Sequence, residues 1–318
     1  MEVCFFHKSC IDGTMSAAIL QEHIKNKDNM IFIPLNHGTS VKEAINKHLP
    51  PEGQNSKEIS KIWFLDIAPK WDDLIYLQSL RQEKQGYTEV VIIDHHKTAA
   101  NTISKFIGKP IEEDKPITLE YDFITFIYDP SESGASLTYK TLQVYHDQQV
   151  YHDQIDKELP TIVDIVKDKD LWLWRYQNTD EINDFLYMYT DKPDLMREFL
   201  HKDVGEIAAK SKILSEYKNF MVSKLKESWS NSPLYININD KKIPAINTPI
   251  YQSEIGSLIA KEHNIACMFY ITGDFVKLSF RSIDGSARAI AESLGGGGHD
   301  NAAGAIIDKE TFFKSLIN

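Results

Sequence analysis

Asp94-His95-His96 stands directly behind the apolar run Val90-Val91-Ile92-Ile93, so three side chains able to hold a metal or move a proton follow a segment suited to burial. Two other apolar runs end in the same way. Val3-Cys4-Phe5-Phe6 leads into His7 and then Asp12-Gly13, and Ile62-Trp63-Phe64-Leu65 leads into Asp66. A lone strand-end Asp or His is more often a cap or turn residue than a ligand. Several such runs bringing His and Asp to one sheet edge point instead to a metal-dependent active site. A His and Asp set suits manganese or magnesium better than zinc, whose structural sites favour thiolates.

The elements that must position these residues follow from the apolar pattern. Short β-branched runs are expected of strands covered on both faces. In open α/β sheets, ligands bind outside the carboxyl ends of such strands. Strand patterns at 2–6, 30–34, 61–65 and 89–93 alternate with helical ones, from about Gly13 and at 70–84. The alternation predicts an α/β fold with a mainly parallel sheet and helices on both faces, extending to about Arg175. The strand at 30–34 precedes Asn36-His37-Gly38.

Asp129-Pro130-Ser131-Glu132-Ser133-Gly134-Ala135-Ser136 reads as a turn and helix start. Its small residues either offer backbone N–H groups to an anion or are simply capped by Ser131 or Ser133. Tyr145-His146-Asp147-Gln148 recurs as Tyr151-His152-Asp153-Gln154. The six-residue offset puts the copies on different helix faces, so the repeat reads as a solvated duplication without metal.

Leu195, Phe199, Ile207, Ile213, Tyr217, Met221 and Leu225 recur at helical spacing, which predicts a helical connector ended by Ser230-Asn231-Ser232-Pro233. A smaller α/β domain follows, with strands at 234–239, 265–271 and 275–281 and helices at about 251–263 and 286–294. The expected organisation is a catalytic domain over 1–191, the connector over 192–232 and a substrate-binding domain over 233–318. In the last, Gly295, Gly296, Gly297 and Gly298 precede His299, between a helix and the apolar strand Ala305-Ile306-Ile307. Consecutive glycines can aim several N–H groups at a phosphate, with His299 as a companion. No Gly-Lys-Ser/Thr follows, so this is not a P-loop. A linker would be longer and richer in serine. Arg281, closing a strand, could grip a phosphate or carboxylate, or equally form a surface ion pair.

A chain of 318 residues suits two domains. Its net charge of −11 argues against an extended nucleic-acid groove, because phosphate neutralisation supplies most of such affinity. A short phosphorylated substrate stays compatible, since a bound metal pair reverses the local field. No apolar stretch reaches membrane-span length, and no signal peptide is visible. Cys4, Cys10 and Cys267 form an odd, sparse set that fits a reducing cytoplasm.

Several ordered motifs together resemble the DHH phosphoesterase family with its C-terminal DHH-associated domain, and within it the nanoRNase or oligoribonuclease type. They are Phe6-His7 through Asp12-Gly13, Asp66 in Phe-Leu-Asp-Ile-Ala-Pro, Asp94-His95-His96, Ser133-Gly134-Ala135, Asp170-Leu171-Trp172, and Gly-Gly-Gly-Gly-His with Ala-Ala-Gly. The resemblance covers nearly the whole chain. It implies two divalent ions, expected to be manganese with magnesium as the alternative. His7 would hold one ion, while Asp12, His95 and Asp170 would hold the other, and Asp66 would bridge both. His96 would face the substrate or close the metal shell, oriented by Asp94. Gly295 to Gly298, His299 and Arg281 would hold a terminal phosphate across an interdomain cleft. Asp168 stands two residues before Asp170, and either could be the ligand. Many members carry Asp-x-Asp-Gly in the first motif, where this chain has Cys10-Ile11-Asp12-Gly13.

The implied activity is hydrolysis of short oligonucleotides, linear dinucleotides or related small nucleotides by a water activated between ions roughly 3.5–4 Å apart. Rival readings are a polyphosphate or nucleotide phosphatase, a processive single-strand exonuclease, which the acidic charge disfavours, and a catalytically weakened nucleotide-binding protein. The expected partner is a short nucleotide or other phosphorylated small substrate, with no membrane and with a homodimer as a further candidate.

Overall fold

Val3 to Phe6 and Val90 to Ile93 are fully buried, and alternate residues of each run enter opposite cores. That two-sided burial is why they are continuous apolar runs and not alternating ones. The structure is a computed structural model describing residues 1–24, 29–49, 58–83, 88–147 and 158–317. Its contacts divide into two units, Met1–Leu214 and Ser215–Asn318.

The first unit runs β1 (Glu2–His7), α1 (Ile11–His23), β2 (Met30–Leu35), α2 (Val41–His48), β3 (Lys61–Leu65), α3 (Trp71–Glu83), β4 (Glu89–Asp94), α4 (Lys97–Ile107), β5 (Ile117–Tyr121), β6 (Ile124–Tyr128), α5 (Gly134–Asp147), α6 (Thr161–Asp170), α7 (Thr179–Tyr187), α8 (Pro193–Arg197) and the start of α9 (Val204–Asn231). The sheet order is β2-β1-β3-β4-β6-β5, parallel except for the antiparallel edge strand β5. Cys4, Phe6, Trp63, Leu65, Val91 and Ile93 face one core with α1 and α6. Val3, Phe5, Ile62, Phe64, Val90 and Ile92 face the other with α2, α3 and α4. The strand order reverses between β1 and β3, and the crevice at such a reversal is where this sheet type binds ligands.

The apolar patterns leave out the β5–β6 hairpin. Its outer strand is half exposed, so it lacks a buried run, and Asp122 makes its tight turn at φ 52°. The tandem Tyr-His-Asp-Gln repeat falls outside the described residues: the second copy entirely, the first in its side chains and in Gln148.

The second unit continues with β7 (Leu234–Ile238), β8 (Lys241–Asn247), α10 (Gln252–His263), β9 (Ile265–Thr272), β10 (Phe275–Ser282), α11 (Ala287–Ser293), β11 (Gly297–His299), β12 (Ala302–Asp308), α12 (Lys309–Ser315) and β13 (Leu316–Ile317). Its sheet order is β11-β12-β10-β9-β8-β7-β13. The strand β8 escapes sequence reading because it opens on Lys241-Lys242 and contains Pro244. The division between the units falls within α9, inside the stretch 192–232 read as a connector. Ile207 packs into the first unit's core, whereas Val222 and Trp229 pack into one of the second's. No described helix is long and apolar enough to cross a membrane.

The glycine run is neither a linker nor an open loop. Gly295 and Gly296 donate to Glu292 O and Ala291 O, closing α11, and Gly297 to His299 pair with β12. A Cβ on Gly298, at φ 144°, would meet Ala303 Cα at 2.6 Å, whereas one on Gly297 meets nothing within 4 Å. Gly298→Ala should therefore cost about 1–3 kcal/mol in urea unfolding, and Gly297→Ala within roughly 0.5 kcal/mol. Equal midpoints for the two variants would contradict this account of the turn.

Candidate metal centre

The carboxyl ends of β1, β3 and β4 bring His7, Asp66, Asp94, His95 and His96 to one edge. Asp66 is the centre. It is buried and holds a left-handed backbone at φ 58°, with its N–H bonded to Ile93 O at 3.0 Å. Aspartate tolerates that conformation better than most residues, and such strain clusters at functional sites. Around it lie Cys10 Sγ at 3.3 Å, His7 Nδ1 at 3.4 Å and His95 Nε2 at 3.2 Å. His95 Nε2 also lies 3.9 Å from Asp12 Oδ2 and 3.5 Å from Asp170 Oδ2.

Two groups of donors result, His7-Cys10-Asp66 and Asp12-His95-Asp170, each with donor atoms within 4.8 Å of one another. A third, Asp66-Asp94-His95-His96, shares their members. The donors fit divalent ions by a test internal to the protein. His7 Nδ1 and Asp170 Oδ2 are buried without a hydrogen-bond partner, although buried polar atoms are normally satisfied. Histidine nitrogens and carboxylate oxygens are suitable ligands for manganese or magnesium, with Cys10 the softer exception.

The electrostatics describe a crowded acidic pocket. Burial pushes the Asp12 carboxyl well up, and Asp66 and Asp170 add to it. Burial also opposes the charge on Asp66, but His7 and His95 outweigh it and hold that carboxyl well below the usual range. For His95, burial is overcome by Asp66 and Asp12, and the imidazole is held up to about 10. Burial, then Asp66 and Asp12, raise the Cys10 thiol, which keeps its proton and donates it to Asp66 Oδ2.

Local sequence explains how these side chains are held. Asp12 accepts from the N–H groups of Gly134 at 2.5 Å and Ala135 at 3.0 Å, so the acceptor at the start of α5 is a side chain of α1. Ser133 is at the same time a cap, its Oγ accepting from Ser136 N at 3.3 Å. A Cβ on Gly134 would lie 2.6 Å from Asp66 Cβ and 2.9 Å from Asp12 Oδ2. A Cβ on Gly13 would lie 2.7 Å from His7 Cβ, which fixes glycine after Asp12. Asp191 accepts from Ser9 N at 2.7 Å and pins the loop between β1 and α1.

Asp168 and Asp170 differ in their partners, Asp170 Oδ2 lying 3.5 Å from His95 Nε2. Asp168 is fully buried and accepts from Arg175 N and Nε, Tyr176 N and Thr179 Oγ1, leaving it no lone pair for the cluster. Asp94 Oδ1 accepts from His96 N at 2.9 Å and lies 2.8 Å from His96 Nδ1, so His96 is oriented through Nδ1 and offers Nε2.

Sequence reading noted His37 only as a residue after a strand. Its ring centroid lies 4.6 Å from that of His7 and 6.4 Å from that of His96. Burial and the two neighbouring imidazoles lower its pKa. Only the pairing of β2 beside β1 brings it there, and no local pattern reports that pairing.

In the second unit, Arg281 pairs with Ala302 and Ala302 with His299. Arg281 and His299 therefore leave one face of the sheet on one rung, about 10 Å apart across two strand spacings. The Arg281 guanidinium donates to Ser253 Oγ and Phe280 O, while His299 is exposed. Gly295, Gly296 and Gly304 border a cavity of about 510 Å³ that also meets Gln252, Lys277 and Ser279.

Residues 219–318 match the family described as the DHHA1 domain. Uncharacterized protein R106 of Acanthamoeba polyphaga mimivirus is 24% identical over 320 residues, spanning 96% of this chain and 67% of its own. Among solved structures, exonuclease RecJ bound to manganese is similar over 98% of this chain and 87% of its own, at 15% identity and a TM-score of 0.48. The pGpG-specific phosphodiesterase PggH from Vibrio cholerae is similar over 98% and 94%, at 13% identity and a TM-score of 0.45.

Gly134→Ala should displace both Asp12 and Asp66, and calorimetric manganese affinity should fall by about 10- to 100-fold, the range seen when groups supporting ligands are lost. Unchanged affinity would mean the cluster does not depend on that approach. Asp168 gives a second expectation. Burial opposes its charge, but Thr179 and Arg175 hold its carboxyl below the ordinary range. A depressed folded pKa contributes stability that is present above the unfolded value near ~3.9 and lost as pH falls through the folded one. Asp168→Asn should lower the unfolding free energy at pH 7 by roughly 1–3 kcal/mol and flatten the acid limb of the stability curve. An unchanged acid limb would contradict the assignment.

Proposed function

We propose that this chain, whose residues 219–318 match the DHHA1 domain and whose ordered N-terminal motifs resemble the DHH family, is a metal-dependent phosphodiesterase acting on short oligonucleotides or linear dinucleotides. One observation carries the reading: two adjacent donor groups, His7-Cys10-Asp66 and Asp12-His95-Asp170, meet through the 3.2 Å contact of Asp66 with His95 at the edge of a parallel sheet, with His7 Nδ1 and Asp170 Oδ2 buried and without a hydrogen-bond partner. His7, Cys10 and Asp66 would hold one ion, and Asp12, His95 and Asp170 the other. Manganese is the preferred ion and magnesium the alternative. A bound pair of such ions supplies an activated water and stabilises charge on a phosphoryl group.

The remaining steps fall to the protein's own groups. His96, fixed through Nδ1 by Asp94, presents Nε2 to a non-bridging phosphoryl oxygen or to the leaving oxygen, to which it can pass a proton. Asp66, held at the centre by its backbone, keeps the two donor groups in register. Arg281, His299 and the Gly295–Gly298 turn are the groups offered for a terminal phosphate, the turn contributing its shape more than free N–H groups because Gly295 and Gly296 are committed to α11. A net charge of −11 favours short substrates over long strands. Cys10 favours a second reading, a weakened nucleotide-binding protein, because a protonated thiol stands where many members carry aspartate.

Hydrolysis of a 5′-phosphorylated dinucleotide, polyphosphate and a long single strand should be compared with and without manganese. The dinucleotide is expected to be cleaved fastest, only with metal, and Asp66→Ala should reduce turnover to background while leaving the circular dichroism unchanged. Cys10→Asp should keep or raise activity. Normal manganese-dependent turnover in Asp66→Ala would remove Asp66 from the site, and turnover of polyphosphate alone would replace the substrate class.

A further inference from the structure

Two tryptophans follow Asp170 and face solvent. Trp172 is 76% exposed and Trp174 is 43% exposed, the two rings lying nearly perpendicular with centroids 5.6 Å apart. Burial of an indole is strongly favourable, so a pair left outside calls for a reason. Their exposure is enforced by the chain itself. Trp172 and Trp174 take left-handed backbone angles, φ 57° and 56°, which are costly for bulky residues. The turn is clamped from within, because Leu173 N donates to Asp168 O and Arg175 donates to the buried Asp168 carboxylate through N and Nε. Tyr176 Oη adds a bond to Asp164. A buried carboxylate and two strained residues thus hold two large apolar rings in water.

Their position ties them to the metal centre. Trp172 is two residues beyond Asp170, within about 7 Å along the chain at Cα. The Lys169 ammonium lies 4.8 Å from the Trp174 ring centroid, and Lys169 lines the same cavity of about 350 Å³ as His7, Asp12 and Asp170. The platform therefore adjoins the place where a phosphodiester would be cut.

We propose that Trp172 and Trp174 form a stacking platform for a nucleobase of the nucleotide whose phosphodiester lies at the Asp66 cluster. The inference rests on the phosphodiesterase reading above and deepens it. Every base presents a π face, so stacking recognises nucleotides without selecting sequence, and polyphosphate would gain nothing from it. The Lys169 ammonium, which also pairs with Asp180, lies over the Trp174 ring and leaves the exposed Trp172 face as the main contact.

The test uses the manganese-loaded full chain with a 5′-phosphorylated adenine dinucleotide and the same compound carrying an abasic ribose in place of one base or the other. Trp172→Ala/Trp174→Ala should raise KM for the dinucleotide roughly five- to hundredfold with little change in kcat, and Trp172→Phe/Trp174→Phe should restore most of it. One abasic analogue should already be weakened in the wild type and lose nothing further in the double alanine variant. Equal losses on the dinucleotide and both analogues, or no loss on any, would overturn the platform. So would a shift in oligomeric state in the alanine variant, which would make the indoles a contact between copies of the chain. Calorimetric binding of AMP against ribose 5-phosphate separates this idea from the phosphodiesterase reading. Should the wild type cleave no dinucleotide, AMP binding that exceeds ribose 5-phosphate binding and is lost in the alanine variant still supports the platform. Equal affinity for the two ligands sinks it.

Discussion

Asp66 is held where several demands meet. Its backbone is left-handed, its side chain is buried, and three donors from two different loops converge on its oxygens. The carboxylate can stay charged there only because His7 and His95 offset the cost of burial. Remove that carboxylate, and His7, Cys10 and His95 lose the group that sets their spacing. The β3 strand can deliver it only because Ile62 to Leu65 are locked between two cores.

Space around Asp66 is controlled by glycines at helix starts. Gly134 lets α5 approach until its first N–H groups reach Asp12, and Gly13 lets α1 press against His7. The two helix starts and three strand ends form one packing problem, and the acidic residues are part of its solution. Asp12 is satisfied by N–H groups on one side and faces His95 on the other. Asp168, two residues before Asp170, fixes the turn that carries Trp172 and Trp174 by accepting from Arg175.

Residues set on apolar runs were legible in the sequence, because a buried strand announces both itself and its end. His7, Asp66 and the Asp94-His95-His96 run could be placed that way, and the glycine-bordered start of α5 gave a further clue. His37 could not, since its nearness to His7 depends on which strand lies beside β1. The half-exposed β5 and the lysine-led β8 lack the apolar signature that the inner strands carry. The four glycines read as an anion loop from composition; Gly295 and Gly296 donate into the end of α11, while Gly297 and Gly298 lie on the edge strand β11. Asp168 and Asp170 were indistinguishable by spacing, and only the hydrogen bonds from Arg175 and Thr179 separate them.

The most direct test of the shared carboxylate is electron paramagnetic resonance of the protein loaded with manganese. Ions bridged by Asp66 would stand about 3.5–4 Å apart and couple magnetically. The expected result is two ions per chain with a broad, exchange-coupled spectrum that disappears in Asp66→Asn. A simple six-line signal from isolated ions, or the binding of a single ion per chain, would contradict a centre organised around Asp66.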